Sequence, residues 1–409
     1  MASGDRMRYR WVILILFVGS QIVLSIAGFG WGPLAPFLKK WMSLNSTQIG
    51  TISSTFFFAA SLSAFPAGMV FDRYGVKSGF LSWLGLTSIP LLLLSFFQDR
   101  YQLLLPMVAI AGLGYGMGNP VASKGLFIWF DQRTRGTAFG LRQSAVTIGG
   151  AVAGIFLVYL SQRNGPFMAI RTASLMIMVM MIPVFFFYHN PDGASPSLAS
   201  LDKRSIGLRI RGLIANRSFL IISAIAGMLG FTQAVIMTFF LLYANERLNY
   251  SLLISGSLLS LVMISGAIGR IFWGVVSDRL FNGRRKPVMI LISILAVLSV
   301  SALAFWVRSW PHWLFLSVVI GIGLSSVGWN GITFVLVSEI SSVDATATAV
   351  GLASTVSWAG LVLGPIIFGG LVDHSGYFYA WISVALLCLC CLFMCCLIPV
   401  SEPRKEPMI

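Results

Sequence analysis

Three cations stand inside long apolar runs of this chain: Lys124, Arg142 and Arg270. No Asp, Glu or His falls near the middle of any such run, and the nearest carboxylates, Asp131 and Glu339, sit at run ends. An ionisable group at membrane depth costs on the order of several kcal/mol and is usually functional. Buried positive charge with no carboxylate to neutralise it selects for an anion. Arginine suits a carboxylate because its planar fork donates two parallel hydrogen bonds. The chemistry on offer is therefore recognition of an anion, not bond making. His189, His312 and His374 lie at run ends without clustered acidic partners, so the sequence presents no nucleophile–base set and no metal-ligand group. No catalytic residue, metal or cofactor is expected. A plainer role stays open for two of them: Arg270 can pack on backbone carbonyls or snorkel, and Lys124 can snorkel or gate.

The elements that must position these residues are membrane helices. Of 409 residues, 57% are hydrophobic and 10% charged, against about 25% charged in ordinary soluble domains. The apolar runs recur at lengths of roughly 20 or more, enough to cross about 30 Å of hydrocarbon as helices. They lack the period-2 alternation of a barrel strand, which excludes the porin solution. Twelve spans can be drawn, near residues 11–37, 47–70, 78–97, 102–128, 137–160, 167–188, 217–243, 251–275, 287–307, 312–338, 346–371 and 377–399. The first is too long for a signal-peptide core and should remain in the mature protein. The six-plus-six division gives an N-terminal bundle, 1–188, a cytoplasmic linker, 189–216, and a C-terminal bundle, 217–409. The linker carries Asn190-Pro-Asp-Gly and a Ser/Pro-rich run from Ser195 to Ser200.

The formal net charge of +15 does not indicate nucleic acid, because no basic domain lies outside the spans. Eighteen of the 28 Lys and Arg fall on one side of the spans, seven on the other and three inside. The positive-inside rule then puts both termini in the cytoplasm. Compact loops suggest a bacterial inner-membrane protein, functional as a monomer in the lipid bilayer. All five cysteines (Cys388, Cys390, Cys391, Cys395, Cys396) lie in the last span, where small size and softness account for them.

Two sequence stretches repeat. Gly68-Met-Val-Phe-Asp72-Arg73 and Gly274-Val-Val-Ser-Asp278-Arg279 each close an apolar run and open a cationic loop. Thr137-Ala-Phe-Gly-Leu141 and Thr348-Ala-Val-Gly-Leu352 start spans five and eleven. The separations are 206 residues for Asp72 and Asp278 and 211 for Thr137 and Thr348. Two matches at nearly one offset indicate duplication. Asp at a helix end beside a cationic turn can accept hydrogen bonds from a neighbouring helix N-terminus, so Asp72, Arg73, Lys77, Asp278 and Arg279 are candidate gating residues. Arg284, Arg285 and Lys286 are read as holding orientation only. Counting back eight residues from Asp278 reaches Arg270, about 12 Å above the loop at ~1.5 Å per residue. The matching position before Asp72 is Ala64.

With these residues in place, the chain resembles the major facilitator superfamily over essentially its whole length. The superfamily's loop motif, approximately Gly-x-Leu-x-Asp-Arg-x-Gly-Arg-Lys, is matched by Gly68, Asp72, Arg73, Gly75 and Lys77, with Val70 and Val76 departing from it. The second copy matches at Gly274, Asp278 and Arg279, then carries two extra residues before Gly283. The resemblance implies an all-α integral membrane fold of twelve helices in two pseudo-symmetric six-helix bundles, with a central site of alternating access. It also implies that helices four and ten line the cavity and that helices five and eight meet at the bundle interface. Tyr115, Asn119, Trp329 and Asn330 then join Arg270, Arg142 and Lys124 as candidate substrate contacts, with Gln21, Gln233 and Tyr243 weaker. The Gly residues of Gly112-Leu-Gly-Tyr-Gly-Met-Gly118 are read as close helix packing.

Arg270 is similar in place to the substrate arginine of oxalate:formate and monocarboxylate carriers, and nitrate carriers have a comparable one. The expectation is a secondary transporter of a small organic anion, a mono- or dicarboxylate, working by exchange or by proton-linked uptake. Inorganic anion uptake (nitrate or cyanate) is the alternative, and drug efflux ranks below it. The Gly-Pro-x-x-Gly-Gly pattern of proton-coupled exporters is absent from span five, which reads Ile148-Gly-Gly-Ala-Val-Ala-Gly154. A membrane enzyme or a transporter-like receptor ranks lower still.

Overall fold

The structure, a computed structural model, describes residues 3–97, 100–189, 210–307, 310–341 and 346–398. Certain side chains within helices, that of Asp72 among them, lie outside the described residues, as do 190–209 of the expected linker and the tail from Pro399. The described chain is helical. The first span divides into α1 (Ser3–Gly28) and α2 (Trp31–Trp41); α3 (Ser46–Tyr74) and α4 (Val76–Leu94) follow. Span four divides into α5 (Tyr101–Gly116) and α6 (Gly118–Trp129), and α7 (Gln132–Asn164) and α8 (Pro166–Phe187) complete the first six. The later spans are α9 (Arg217–Glu246), α10 (Leu252–Leu280), α11 (Arg285–Phe305), α12 (His312–Ile322) running through a π segment into α13 (Asn330–Ile340), and α14 (Thr346–Leu397).

Ten stretches among the described residues are long and apolar enough to cross a membrane. The 52 residues of α14 would extend about 78 Å as one rod, more than twice the hydrocarbon thickness. They turn at Gly376, whose φ of 80° and ψ of 173° are not helical, so α14 is two spans. With the Ser- and Thr-rich α3 these make twelve. Large apolar side chains stand on the outside, including Ile15, Val179, Leu298, Trp313 and Phe393, as lipid contact requires.

Two interruptions follow from proline. Pro33 has no N–H to close on the Phe29 carbonyl, and Pro120 none for Gly116. The helices break at Phe29–Gly30 and at Met117. Each proline falls in the first turn of the helix that resumes, where its missing donor costs little. The first span, expected to be continuous, is thus a broken rod. A third interruption is a widened turn at Gly323–Val327, where Gly328 N donates to Gly323 O at 3.0 Å. The Leu324 carbonyl in this turn accepts from the Trp273 indole at 2.8 Å.

The duplication is visible in the backbone. Gly165 and Gly376, 211 residues apart, each sit between two helices with φ near +80° and extended ψ, a region essentially reserved for glycine. The glycine run of span four packs as expected, on two faces. Gly112 and Gly116 meet the Phe56 and Ala60 carbonyls of α3, and Gly114 and Gly118 meet Thr87 and Trp83 of α4. A Cβ at Gly116 would come within 2.0 Å of the Ala60 oxygen.

By its contacts the chain divides into two compact units. One comprises Met1–Ala199 with Met237–Ser260, the other Ser200–Ile236 with Leu261–Ile409. In the first, Phe17 stacks on Phe80 with ring centroids 4.4 Å apart. In the second, Trp329, Cys391 and Cys395 join a core with Ile222, Ile292 and Leu336. The Ser293 hydroxyl lies 3.6 Å and 3.4 Å from the Cys391 and Cys395 sulfurs.

Candidate solute-binding site

The first unit is organised around Arg142, which α7 buries to 6% exposure. Its Nη2 donates to Gln21 Oε1 at 2.6 Å, and its Nη1 to Asn119 Oδ1 at 2.7 Å and Gln143 Oε1 at 3.3 Å. A guanidinium only donates, so the amides must turn their carbonyl oxygens towards it. Gln21, on α1, is fixed in turn by donating from Nε2 to the Ser25 hydroxyl at 2.9 Å. Trp83 lies with its ring centre 6.0 Å from the guanidinium carbon, and Gly118 leaves room for that indole. The Arg142 Nε is buried and without a hydrogen-bond partner among the described residues. Among the described residues every hydrogen-bond partner of this cation is neutral, so its charge is solvated there but not cancelled.

Tyr115 and Asn119 come from the same span, on either side of the break between α5 and α6. Asn119 joins Arg142, while the Tyr115 ring packs over Gly28 and lies 5.2 Å from the Phe56 ring. Lys124 sits elsewhere: its Nζ donates to the Phe71 carbonyl at 3.1 Å, beside Asp72. That bond puts it at the end of α3 that carries the first Asp-Arg loop. Tyr243 is buried on the part of α9 that belongs to this unit.

The second unit holds a neutral counterpart. Gln233 Oε1 on α9 accepts from the Trp329 indole at 3.1 Å and from Asn330 Nδ2 at 3.2 Å. Trp329 is fully buried. Gln21 and Gln233 are 212 residues apart, and Asn119 and Asn330 are 211 apart, the offset of the duplication. At that same offset Arg142 corresponds to Ala353 and Gly118 to Trp329. Arg270 is half-buried on α10, and its backbone carbonyl faces Gly331, next to Asn330.

The gating candidates separate. Asp278 pairs with the Arg285 side chain, whose Nε also bonds Glu339 at 3.0 Å and whose Nη1 bonds Ser277 at 2.8 Å. Arg285 is the first residue of α11, so the acidic group meets a side chain there where helix N-terminal amides were expected. The reading of Arg285 as an orientation signal alone therefore falls short, since it ties α10 to α13. Arg279 is exposed; Arg73 lies over Tyr74 and Lys77 over Phe185. Beyond the opposite end of α3 the first unit has an ion pair of its own. Lys39 Nζ bonds Glu246 at 2.8 and 3.1 Å, with Ser53 and Thr238 hydroxyls 3.0 Å apart nearby. These residues were missed in the sequence, because partners 207 positions apart at span ends carry no local signal. Gln143 was missed although it adjoins Arg142.

Each unit thus carries membrane-length helices, one of them broken near a buried polar cluster, as a membrane transport protein requires. The Major Facilitator Superfamily profile matches residues 17–358 and 283–407, and the chain belongs to that superfamily. It is a multi-pass membrane transporter rather than an enzyme. The probable sulfoacetate transporter SauU of Cupriavidus necator is 23% identical, over 98% of this chain and 97% of that protein. The membrane sensor protein UhpC of Escherichia coli is 23% identical over 84% of this chain and 82% of its own length. A probable hexose phosphate transport protein of Chlamydia pneumoniae is 22% identical, over 87% of this chain and 84% of that protein. Among solved structures, a bacterial homologue of the human lysosomal transporter Spinster superposes with a TM-score of 0.79 at 16% identity, covering 95% of this chain and 97% of the other. The xylose transporter XylE of E. coli gives 0.75 at 13%, covering 97% and 98%. These two likenesses concern the fold.

Proposed function

We propose that this protein is an alternating-access carrier of a small organic anion with at least one carboxylate or comparably charged head, working by exchange or proton-linked uptake. The observation that carries the reading is Arg142: a buried guanidinium hydrogen-bonded to neutral amides, with one buried donor unused among the described residues. A cation so placed gains most from an anion that can approach its remaining face. The sulfoacetate and hexose phosphate transport proteins among the relatives are named for organic anions, which supports the class. Arg270 and the Gln233–Trp329–Asn330 cluster are the second unit's candidates for contact with the solute. Asp72, Arg73, Lys77, Lys124, Asp278, Arg279 and Arg285 are assigned to the cytoplasmic closure. Halves 1–188 and 217–409 flank the linker, and both termini lie in the cytoplasm of a bacterial inner membrane.

Counterflow in liposomes tests this without assuming a coupling ion. Purified protein is loaded with each member of a panel of carboxylates, sulfonated acids, nitrate, cyanate, sugars and cationic dyes, and exchange of labelled solute is followed. Exchange confined to organic anions is expected. Exchange confined to nitrate or cyanate moves the substrate to the inorganic class, and exchange of dyes alone rejects the proposal.

A further inference from the structure

We infer, resting on the reading of the chain as an anion carrier, that Gln21 and Asn119 set its charge selectivity by holding Arg142 in place without neutralising it. The two amides are the nearest partners of the guanidinium, at 2.6 and 2.7 Å from its two terminal nitrogens. Glutamate and aspartate have the same shapes and would satisfy the same N–H groups. They would also form stronger, charge-assisted bonds. An isolated buried cation gains from such a partner, so protein stability alone favours the acids at these positions. Both positions carry the amide. Gln21 is moreover held by Ser25, which receives its Nε2 proton at 2.9 Å; a carboxylate has no proton to give there. Because the guanidinium can only donate, it fixes which amide atom faces it, and the Ser25 hydroxyl receives the proton on the other side.

The consequence is a cation whose geometry is saturated on one side and whose charge is intact. A carboxylate at either position would act as a resident counter-ion, compete with the solute's anionic head and repel it. Gln21 and Asn119 are therefore positioning residues that act through Arg142, and their neutrality is the selective feature.

The test measures counterflow KM and Vmax for the carboxylate exchanged best by the wild type. It also measures the rise in melting temperature that this carboxylate produces in detergent. Gln21→Glu and Asn119→Asp should each raise KM by at least about tenfold, the scale of one charge-assisted hydrogen bond. Each should lose the anion-induced stabilisation while melting no lower than wild type in the absence of solute. Gln21→Met removes the bond without adding charge and should raise KM by a smaller factor, about threefold. Acidic variants that keep the wild-type KM and stabilisation overturn the inference, as does a Gln21→Met variant impaired as severely as Gln21→Glu. Arg142→Ala, measured alongside, separates the levels. If the wild type exchanges no anion, the functional reading and the inference fall together. If Arg142→Ala abolishes exchange while Gln21→Glu is normal, only the inference falls.

Discussion

Gln21 with Asn119 in one unit and Gln233 with Asn330 in the other occupy matching positions of a duplicated chain, yet they serve different centres. The first pair turns two carbonyl oxygens onto Arg142. In the second, the glutamine oxygen accepts from the asparagine and from the Trp329 indole. Two exchanges account for the difference: arginine against Ala353, and Gly118 against tryptophan. Where the first half keeps a glycine, the Trp83 indole lies against it; where the second half has no arginine, its own indole supplies the donor. Duplication thus kept an amide framework and changed what fills it. The amides surround a buried guanidinium in one copy and meet a neutral indole in the other.

The comparison breaks most directly at Arg142. Arg142→Ala should reduce organic-anion counterflow by about a hundredfold or more, the scale of losing a bidentate charged contact. Normal insertion should be verified by melting and gel filtration, and near-normal exchange would remove the proposed division between halves. Arg270→Ala probes whether the second copy adds a charge of its own, and a loss of about tenfold is expected in the same assay. Trp329→Phe deletes one donor to Gln233 and keeps an aromatic ring of smaller size; it should change KM by about threefold to fivefold, a neutral hydrogen bond's worth. If it equals Arg142→Ala in severity, the second cluster is no lesser partner.

Smaller effects test the shared scaffold. Gly165→Ala and Gly376→Ala should destabilise by similar amounts, about 1–3 kcal/mol each, because both glycines hold the same disfavoured backbone. Thermal melting of the two variants side by side would show whether the halves are equivalent there. Glu246→Gln removes the Lys39 ion pair, whose partners are a quarter and a third exposed. Pairs of that kind contribute about 0–1 kcal/mol, so labelling of an engineered cysteine at the outer end should rise by no more than about fivefold. Unchanged labelling would make the pair incidental to gating.

Much of the fold was legible because its signals are long. Apolar runs of membrane length and two repeated loop motifs place twelve spans and a duplication without any contact information. Arg142 was legible too, as an unneutralised charge in an apolar run. Its surroundings were not. Gln21 and Asn119 are single polar residues a hundred positions apart, and only helix packing brings them to one guanidinium. The repeat of that pair in Gln233 and Asn330 is equally silent in sequence, since one residue type at an offset of 211 means little until the two clusters are seen. Lys124 shows the opposite limit: its charge stands out in the sequence, yet its Nζ donates to the Phe71 carbonyl near the end of α3.

The widened turn at Gly323–Val327 has a consequence for the second cluster. Such a turn takes up one residue more than an α-helical turn, so everything after it is rotated by about 100° about the helix axis relative to an uninterrupted rod. Trp329 and Asn330 follow within a few positions, and their shared aim at Gln233 is set by that rotation. Shortening the turn by one residue would leave the composition of the span almost untouched and swing both donors to another face. The second copy's hydrogen-bonded cluster is therefore encoded in a count of backbone units as much as in the side chains that form it.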